Sequence, residues 1–367
     1  MTRMKNRLLS LLLLSTSAAH LMAADWELRR FDGRDYVTMD SLAAFYGFPA
    51  PPHIGRVPFL GPPAPGAAED SLGFAPAIPD FTLRSGSAEM TVILNSTEIL
   101  INGVRQWLAF PVRVDDGHAF VSRLDLAKEI EPRLRPEKIE GLAPVETVVL
   151  DPGHGAHDKG ATSRYGFEKD FALDVALRAR ELLEANRYKV VMTRSSDIFI
   201  PLEERAEIAN RIPNSVFVSI HFNASNTNAL ANGFEIFSIA PRGAPSSNDG
   251  PRERDLREEP GNVVDLPSTA LAATVYHSLL GHIPIFDRGL KHARFAVLRR
   301  SIRPAVLVEC GFVSNGPESA LIGSPAWRRK LAESIVDGID NYKGLAERGQ
   351  RPKVMADYRR EPLPTAQ

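Results

Sequence analysis

After residue 145 the chain alternates short apolar runs with stretches whose apolar residues recur every three or four positions. TVVLD (147–151), KVVMT (189–193), SVFVSI (215–220), GFEIFSI (233–239), FAVL (295–298) and AVLVE (305–309) have the length and the β-branched content of buried strands. Between the first two, Glu168–Asn186 sets Phe171, Val175 and Leu182 on one line, with Ala172, Ala176, Ala179 and Leu183 beside it. That stripe is the signature of an amphipathic helix. Leu202–Ile212, Ser268–Leu280 with Ser268 as its cap, and Trp327–Tyr342 predict three more helices. Alternation of this kind predicts an α/β domain: a mixed, mostly parallel sheet flanked by helices.

Before residue 145 the pattern is different, β-rich and irregular. DYVTMDSLAAF and AFVSRLDLAKE align at a constant offset, with Tyr36, Val37, Thr38, Leu42 and Ala43 matching Phe120, Val121, Ser122, Leu126 and Ala127. Each copy reads as a strand entering a helix, with Thr38 or Ser122 available to cap it. Between the copies, MTVILNSTEILINGVRQWLAF carries Asn102-Gly103, the strongest short hairpin signal. Pro49–Pro65 is rich in Pro, Gly and Ala and predicts a loop. Pro241–Asp265 is almost all charged and polar, with Arg242, Arg252, Arg254 and Arg257 against Asp249, Glu253, Asp255, Glu258 and Glu259. It reads as a mobile surface loop, or as a rim that touches substrate.

The first residues change the picture of where the protein works. Arg3, Lys5 and Arg7 precede a short apolar core, Leu8–Leu14, and small residues follow as far as Ala24. This is the layout of a secretory signal peptide, too short in its core to span a bilayer. The resulting division is 1–24 signal peptide, 25–145 small β-rich accessory domain, 146–344 catalytic domain and 345–367 disordered tail. Export to the periplasm or beyond the cell follows. The formal net charge of −1 gives no global basic field for nucleic acid. The single cysteine, Cys310, cannot form a disulfide within the chain and reads as a small buried apolar residue.

Chemistry collects where strands end. VVLDPGH delivers His154, VFVSIH delivers His221 and AVLVE delivers Glu309, while Glu168 opens a helix fourteen residues after His154 (168 − 154). In open α/β sheets ligands sit outside the carboxyl ends of strands, so these groups aim at one crevice. Two imidazoles and one carboxylate with a fourth position open form the ligand set of a catalytic zinc site. Gly153 and Gly155 let the backbone turn sharply around His154. A phosphate loop is excluded because Ala161 stands where its lysine belongs, and a dinucleotide fingerprint because Asp158 replaces its third glycine. His157 reads as an exposed polar residue and Arg205 as one half of a structural ion pair. Asn223, two residues beyond His221, shares its face in an extended segment and is a candidate for substrate contact. Arg288 and Lys291 in DRGLKHA are candidates for peptide carboxylates, or belong to a solvated loop.

Taken in order, VVLDPGHG with DKGA, GFEKDFAL, VVMTRSSD, LEERAEIAN, FVSIHFNA, GFEIF, RGLKHARFAVLR and PAVLVECGFVSN resemble the zinc-dependent N-acetylmuramoyl-L-alanine amidases of the amidase_3 type, over about residues 146 to 342. The resemblance implies zinc (Zn2+) ligands at His154, Glu168 and His221 and a catalytic glutamate at Glu309. It also implies a peptidoglycan substrate, cut at the amide between N-acetylmuramic acid and L-alanine of the stem peptide. Ala156 stands where that family usually has a second glycine. Some members carry a zinc-blocking helix in the interval matched by Pro241–Asp265, and no glutamate on an amphipathic helix is found there. The N-terminal part is similar to a domain type first named from copper amine oxidases; no His or Cys cluster for copper accompanies it. A zinc peptidase acting within the stem peptide, and a non-catalytic cell-wall-binding protein, are the alternative readings. The second of these would be expected to lack a ligand or the base.

Overall fold

The computed structural model describes residues 26–54, 81–86 and 88–360. The signal segment and most of the Pro49–Pro65 stretch lie outside them. In the N-terminal region, strands β1 (Leu28–Phe31) and β2 (Arg34–Thr38) lead into helix α1 (Met39–Tyr46). There follow β3 (Phe81–Ser85), β4 (Ala88–Val92), β5 (Glu98–Ile101), β6 (Val104–Trp107), β7 (Arg113–Asp115) and β8 (His118–Ser122). The two repeat copies behave alike. Thr38 Oγ1 accepts from the Ser41 amide, and Ser122 Oγ from the Asp125 amide, each at a helix start. The copies also pair with each other: Tyr36 opposes Ser122 and Thr38 opposes Phe120 in antiparallel register.

Beyond residue 145 the strands are β9 (Thr147–Pro152), β10 (Thr162–Ser163), β11 (Gly166–Phe167), β12 (Lys189–Met192), β13 (Ser215–Asn223), β14 (Phe234–Ile239), β15 (Asp287–Ala293) and β16 (Ala305–Phe312). The helices are α2 (Glu168–Ala185), α3 (Leu202–Asn210), α4 (Asp265–His282), α5 (Ala296–Arg300), α6 (Gly316–Gly323), α7 (Pro325–Arg348) and α8 (Met355–Tyr358). Among the described residues one ten-stranded sheet runs β12-β9-β13-β16-β14-β15-β6-β5-β4-β3. β12, β9, β13 and β16 are mutually parallel, and β14 turns antiparallel to β16. One face is covered by α2, α4 and α7, whose Phe171, Val175, Leu271, Val275, Ile335 and Ile339 pack on Val148, Val218 and Val306. On the other face Ala209 of α3 and Val297 and Leu298 of α5 meet Phe217 and Phe237. Cys310 is buried, as its apolar setting predicts.

Four expectations are corrected. FAVL is not a strand: Phe295 precedes the short helix α5, and the strand is DRGLKHA, β15. That strand hides from the apolar pattern because its Arg288 and Lys291 are buried against Glu235, a carboxylate on the neighbouring strand. Helix α4 begins at Asp265, three residues ahead of the predicted Ser268 cap. The 241–265 segment is fastened to the rest of the protein: Arg294 donates to the carbonyls of Pro241, Ala244 and Asp255 and pairs with the Asp255 carboxylate at 3.0 Å, and Lys128 pairs with Asp265. The tail from Leu345 is not disordered through residue 360. α7 continues to Arg348, and α8 buries Tyr358 against Gly281, where an added Cβ would come within 2.4 Å of the Tyr358 Cβ.

The N-terminal region joins the catalytic sheet directly. β6 lies parallel beside β15 through Gln106 and Leu290, so the sheet passes across the boundary drawn at residue 145 without a break.

Candidate metal centre and active site

Apolar β9 is pinned between β12 and β13, one strand in from the sheet's edge, and ends at Pro152. Beyond it the chain takes conformations that side chains rarely adopt: φ is 61° at His154 and 50° at Ala156. Two buried arginines hold that loop from beneath. Arg194 donates to the carbonyls of Pro152 and Gly153, and Arg205 to those of Pro152 and His154. Arg205 also meets the buried Asp151 carboxylate at 2.9 Å, the structural ion pair expected of it. A backbone in a sparsely populated region persists only when its surroundings over-determine it, and these guanidinium groups supply that.

The His154 ring is then fixed at both nitrogens. Nδ1 lies 2.8 Å from Asp158 Oδ2, and Nε2 lies 2.9 Å from Glu168 Oε1. Glu168 is the first residue of α2 and is buried; its carboxylate accepts from the amides of Phe222 and Ala161. His221, near the end of β13, brings Nδ1 to 3.0 Å from the same Oε1. One ligand atom from each of His154, Glu168 and His221 lies within 4.8 Å of the others. Two glycines make room. A Cβ at Gly153 would fall 2.3 Å from His221 Cε1, and one at Gly160 would fall 2.5 Å from Glu168 Oε2.

A divalent cation fits this set. Three side chains converge on one point; neutral imidazole and carboxylate are zinc's ordinary nitrogen and oxygen donors; and the outer nitrogen of His154 already rests on a carboxylate, as metal-bound histidines usually do. Burial acts to raise the Glu168 carboxyl, but its bonds to His154 and His221 outweigh that and hold it well below the usual carboxylate range.

Glu309 comes to this place through strand register. It opposes His221 across β13 and β16, and Glu235 across β16 and β14. Residues directly opposite project from the same face, so His221, Glu309 and Glu235 form a row. Glu309 Oε2 is buried without a hydrogen-bond partner. Burial, then the charges of Glu168 and Glu235, push its carboxyl well above the usual range, with Lys291 opposing.

The remaining candidates divide. Asn223 Nδ2 donates to Glu235 Oε1 at 2.6 Å while its residue stays half-exposed. Arg288 and Lys291 are not on a solvated loop: Arg288 Nε and Lys291 Nζ donate to Glu235 Oε2 at 3.0 and 2.8 Å inside the protein. His157 is exposed, its ring 4.5 Å from that of Phe199, and it stands apart from the three-residue cluster. Sequence reasoning passed over Asp158, Arg194 and Glu235. Asp158 sits four residues after His154, but nothing in the apolar pattern marks an acidic loop residue as a partner for imidazole.

Comparison with known proteins agrees with this geometry. The chain is 36% identical over 221 residues to N-acetylmuramoyl-L-alanine amidase AmiA of Escherichia coli, covering 53% of this chain and 75% of that one. It is 35% identical over 240 residues to the amidase AmiC of Neisseria meningitidis, covering 59% and 57%. It is 32% identical over 197 residues to the amidase LytC of Bacillus subtilis, covering 54% and 35%. The family model for N-acetylmuramoyl-L-alanine amidase matches residues 148–341, which contain every member of the cluster. The chain therefore belongs to the N-acetylmuramoyl-L-alanine amidase family, and it is a hydrolase.

Proposed function

We propose that the protein hydrolyses the amide between N-acetylmuramic acid and L-alanine of the peptidoglycan stem peptide, with zinc held by His154, Glu168 and His221 and with Glu309 as general base. The observation that carries this reading is the meeting of three ligand atoms within 4.8 Å, with Glu309 in register beside one of them. Bound zinc would supply Lewis-acid polarisation of a carbonyl and would acidify water. The rest belongs to the chain. Asp158 fixes the His154 ring, so that Nε2 faces the ligand point. Glu309 takes the proton of the attacking water and carries it to the amine nitrogen that leaves. Its Oε2, having no partner of its own, is available for that exchange. Asn223 presents a half-exposed amide beside Glu309's row for contact with substrate. Arg288 and Lys291 serve the site through Glu235 rather than by reaching a peptide carboxylate.

Peptidoglycan lies outside the cytoplasm, so the working place is the periplasm or the exterior, in keeping with the leader read in residues 1–24. Among the described residues no helix is long and apolar enough to cross a membrane. The test uses purified sacculi and the zinc-loaded protein. Glu309→Gln should retain one zinc and lose turnover by about three orders of magnitude. Wild-type digestion should release peptides with a free L-alanine amino terminus. Fragments cut elsewhere in the stem would assign a peptidase instead, and normal turnover by Glu309→Gln would remove the base from its role.

A further inference from the structure

The row of functional groups does not stop at the catalytic strands. From His221 it passes through Glu309 to Glu235, and Glu235 is held by Arg288 and Lys291 of β15. β15 in turn abuts β6 of the N-terminal region, where the backbone pairing is only the Gln106–Leu290 contact. Side chains carry the rest of this junction. Trp107 Nε1 donates to the Arg288 carbonyl at 2.8 Å, and the Arg105 amide donates to Asp287 Oδ2 at 2.9 Å. Gly289 has φ of 99°, and a Cβ there would fall 2.8 Å from the Trp107 indole, so the ring rests directly on bare backbone. From the opposite side Tyr276 accepts from the Gly289 amide and donates to Asp287 Oδ1. Residues 287–289 are thus clamped between an N-terminal tryptophan and a helix of the catalytic region.

We infer that Trp107 is a positioning residue of the amidase site, acting through the Arg288 backbone and the Glu235 carboxylate on Glu309. The inference rests on the general-base reading of Glu309. Glu235 is buried, with both oxygens committed: Oε2 to Arg288 and Lys291, Oε1 to Asn223. A buried carboxylate keeps its place only while its partners keep theirs. Glu309 Oε2 has no hydrogen bond of its own, so its orientation depends on its neighbours, among them Glu235, which stands opposite it in strand register. Freeing the Arg288 carbonyl lets β15 shift, and the shift reaches the base through one residue.

The experiment is a double-mutant cycle in the full-length, zinc-loaded protein. Trp107→Phe keeps a ring against Gly289 and removes one donor; Glu235→Gln keeps the shape and removes the charge. Trp107→Phe should lower kcat roughly tenfold with KM and zinc stoichiometry unchanged, since small misplacement of a reacting group costs rate more than binding. Hydrogen exchange at the amides of Gly289, Leu290 and Lys291 should quicken. The double variant should be no slower than Glu235→Gln alone, because both changes act along one chain of contacts. Assays are run well below each variant's melting temperature, so that loss of fold and loss of position are separated. Wild-type kcat in Trp107→Phe, or effects of the two changes that multiply, would overturn the inference while leaving Glu309's role intact. Normal turnover by Glu309→Gln would overturn both.

Discussion

Gly153 lies beneath the His221 imidazole so closely that a single added methyl would fall 2.3 Å from ring atom Cε1. The glycine is there to let a ring approach backbone, and the turn itself is a second matter. Gly153→Ala should therefore displace His221 and not unfold the protein. We expect zinc affinity to fall at least about tenfold, with the metal-free protein melting near the wild-type temperature. Zinc titration against a competing chelator, beside calorimetry of the metal-free forms, checks both halves.

Asp158 holds the outer nitrogen of His154 at 2.8 Å. Asp158→Asn keeps the size but cannot orient the ring through a full carboxylate charge. Loss of such an outer partner typically costs about 10- to 100-fold in metal affinity or activity. The expected outcome is weaker zinc binding with a normal fold, and restored turnover when zinc is raised. Failure of excess zinc to restore turnover would place Asp158 in the chemistry itself.

Arg205 joins Asp151 to the carbonyls of Pro152, His154 and Ile200. Arg205→Met leaves Asp151 buried with only the hydroxyls of Thr193 and Ser219. Breaking a buried pair from one side costs about 3–5 kcal/mol. Urea unfolding should show a loss of that size, and the metal-ligand loop should exchange its amides faster than the rest of β9.

His277 gives the sign of one acid response. Its Nδ1 accepts from the Met355 amide at the start of α8, and burial, with Arg133 nearby, lowers its pKa to about 4. The unfolded chain then binds a proton that the folded chain refuses between pH of about 6.5 and about 4. Stability on this account is present above that window and lost as pH falls through it, by about 3 kcal/mol in all. Asp125, raised to about 7 by burial against its bonds from Ser122, Ala109 and Phe110, titrates with the opposite sign. The observable is therefore a difference: unfolding free energy of wild type minus His277→Gln should fall on acidification from pH of about 6.5 to about 4. A flat difference would mean that α8 does not hold the histidine neutral.

The four candidate groups were legible as candidates because each follows a strong signal. His154, His221 and Glu309 end apolar runs, and Glu168 begins a helix with an unbroken stripe. What supports them was not legible. Arg194 reads as an ordinary surface-type residue in VVMTRSSD, and Arg205 in LEERAEIAN as half of an ion pair whose partner is not apparent, yet both are buried by their bonds to loop carbonyls. β15 escaped because its inward positions are charged, and only the Glu235 carboxylate on another strand makes them tolerable inside. The tail beyond Leu345 escaped because one tyrosine, Tyr358, docks it in a gap left by Gly281. Such compensation is between distant residues, and local pattern carries no trace of it. The paired repeat was the reverse case: its internal symmetry, visible as a fixed offset, became the antiparallel β2–β8 pair.

The passage of one sheet from β15 into β6 also bears on solubility. Were residues 26–107 removed, β15 would become a rim, with amide and carbonyl groups turned outward beside the two cations it carries. A bare strand of that kind invites addition of a strand from another molecule. In the intact chain β6 of the leading region lies along that rim. Shortened forms that begin near residue 146 will need a replacement for that cover before they behave as single particles in solution.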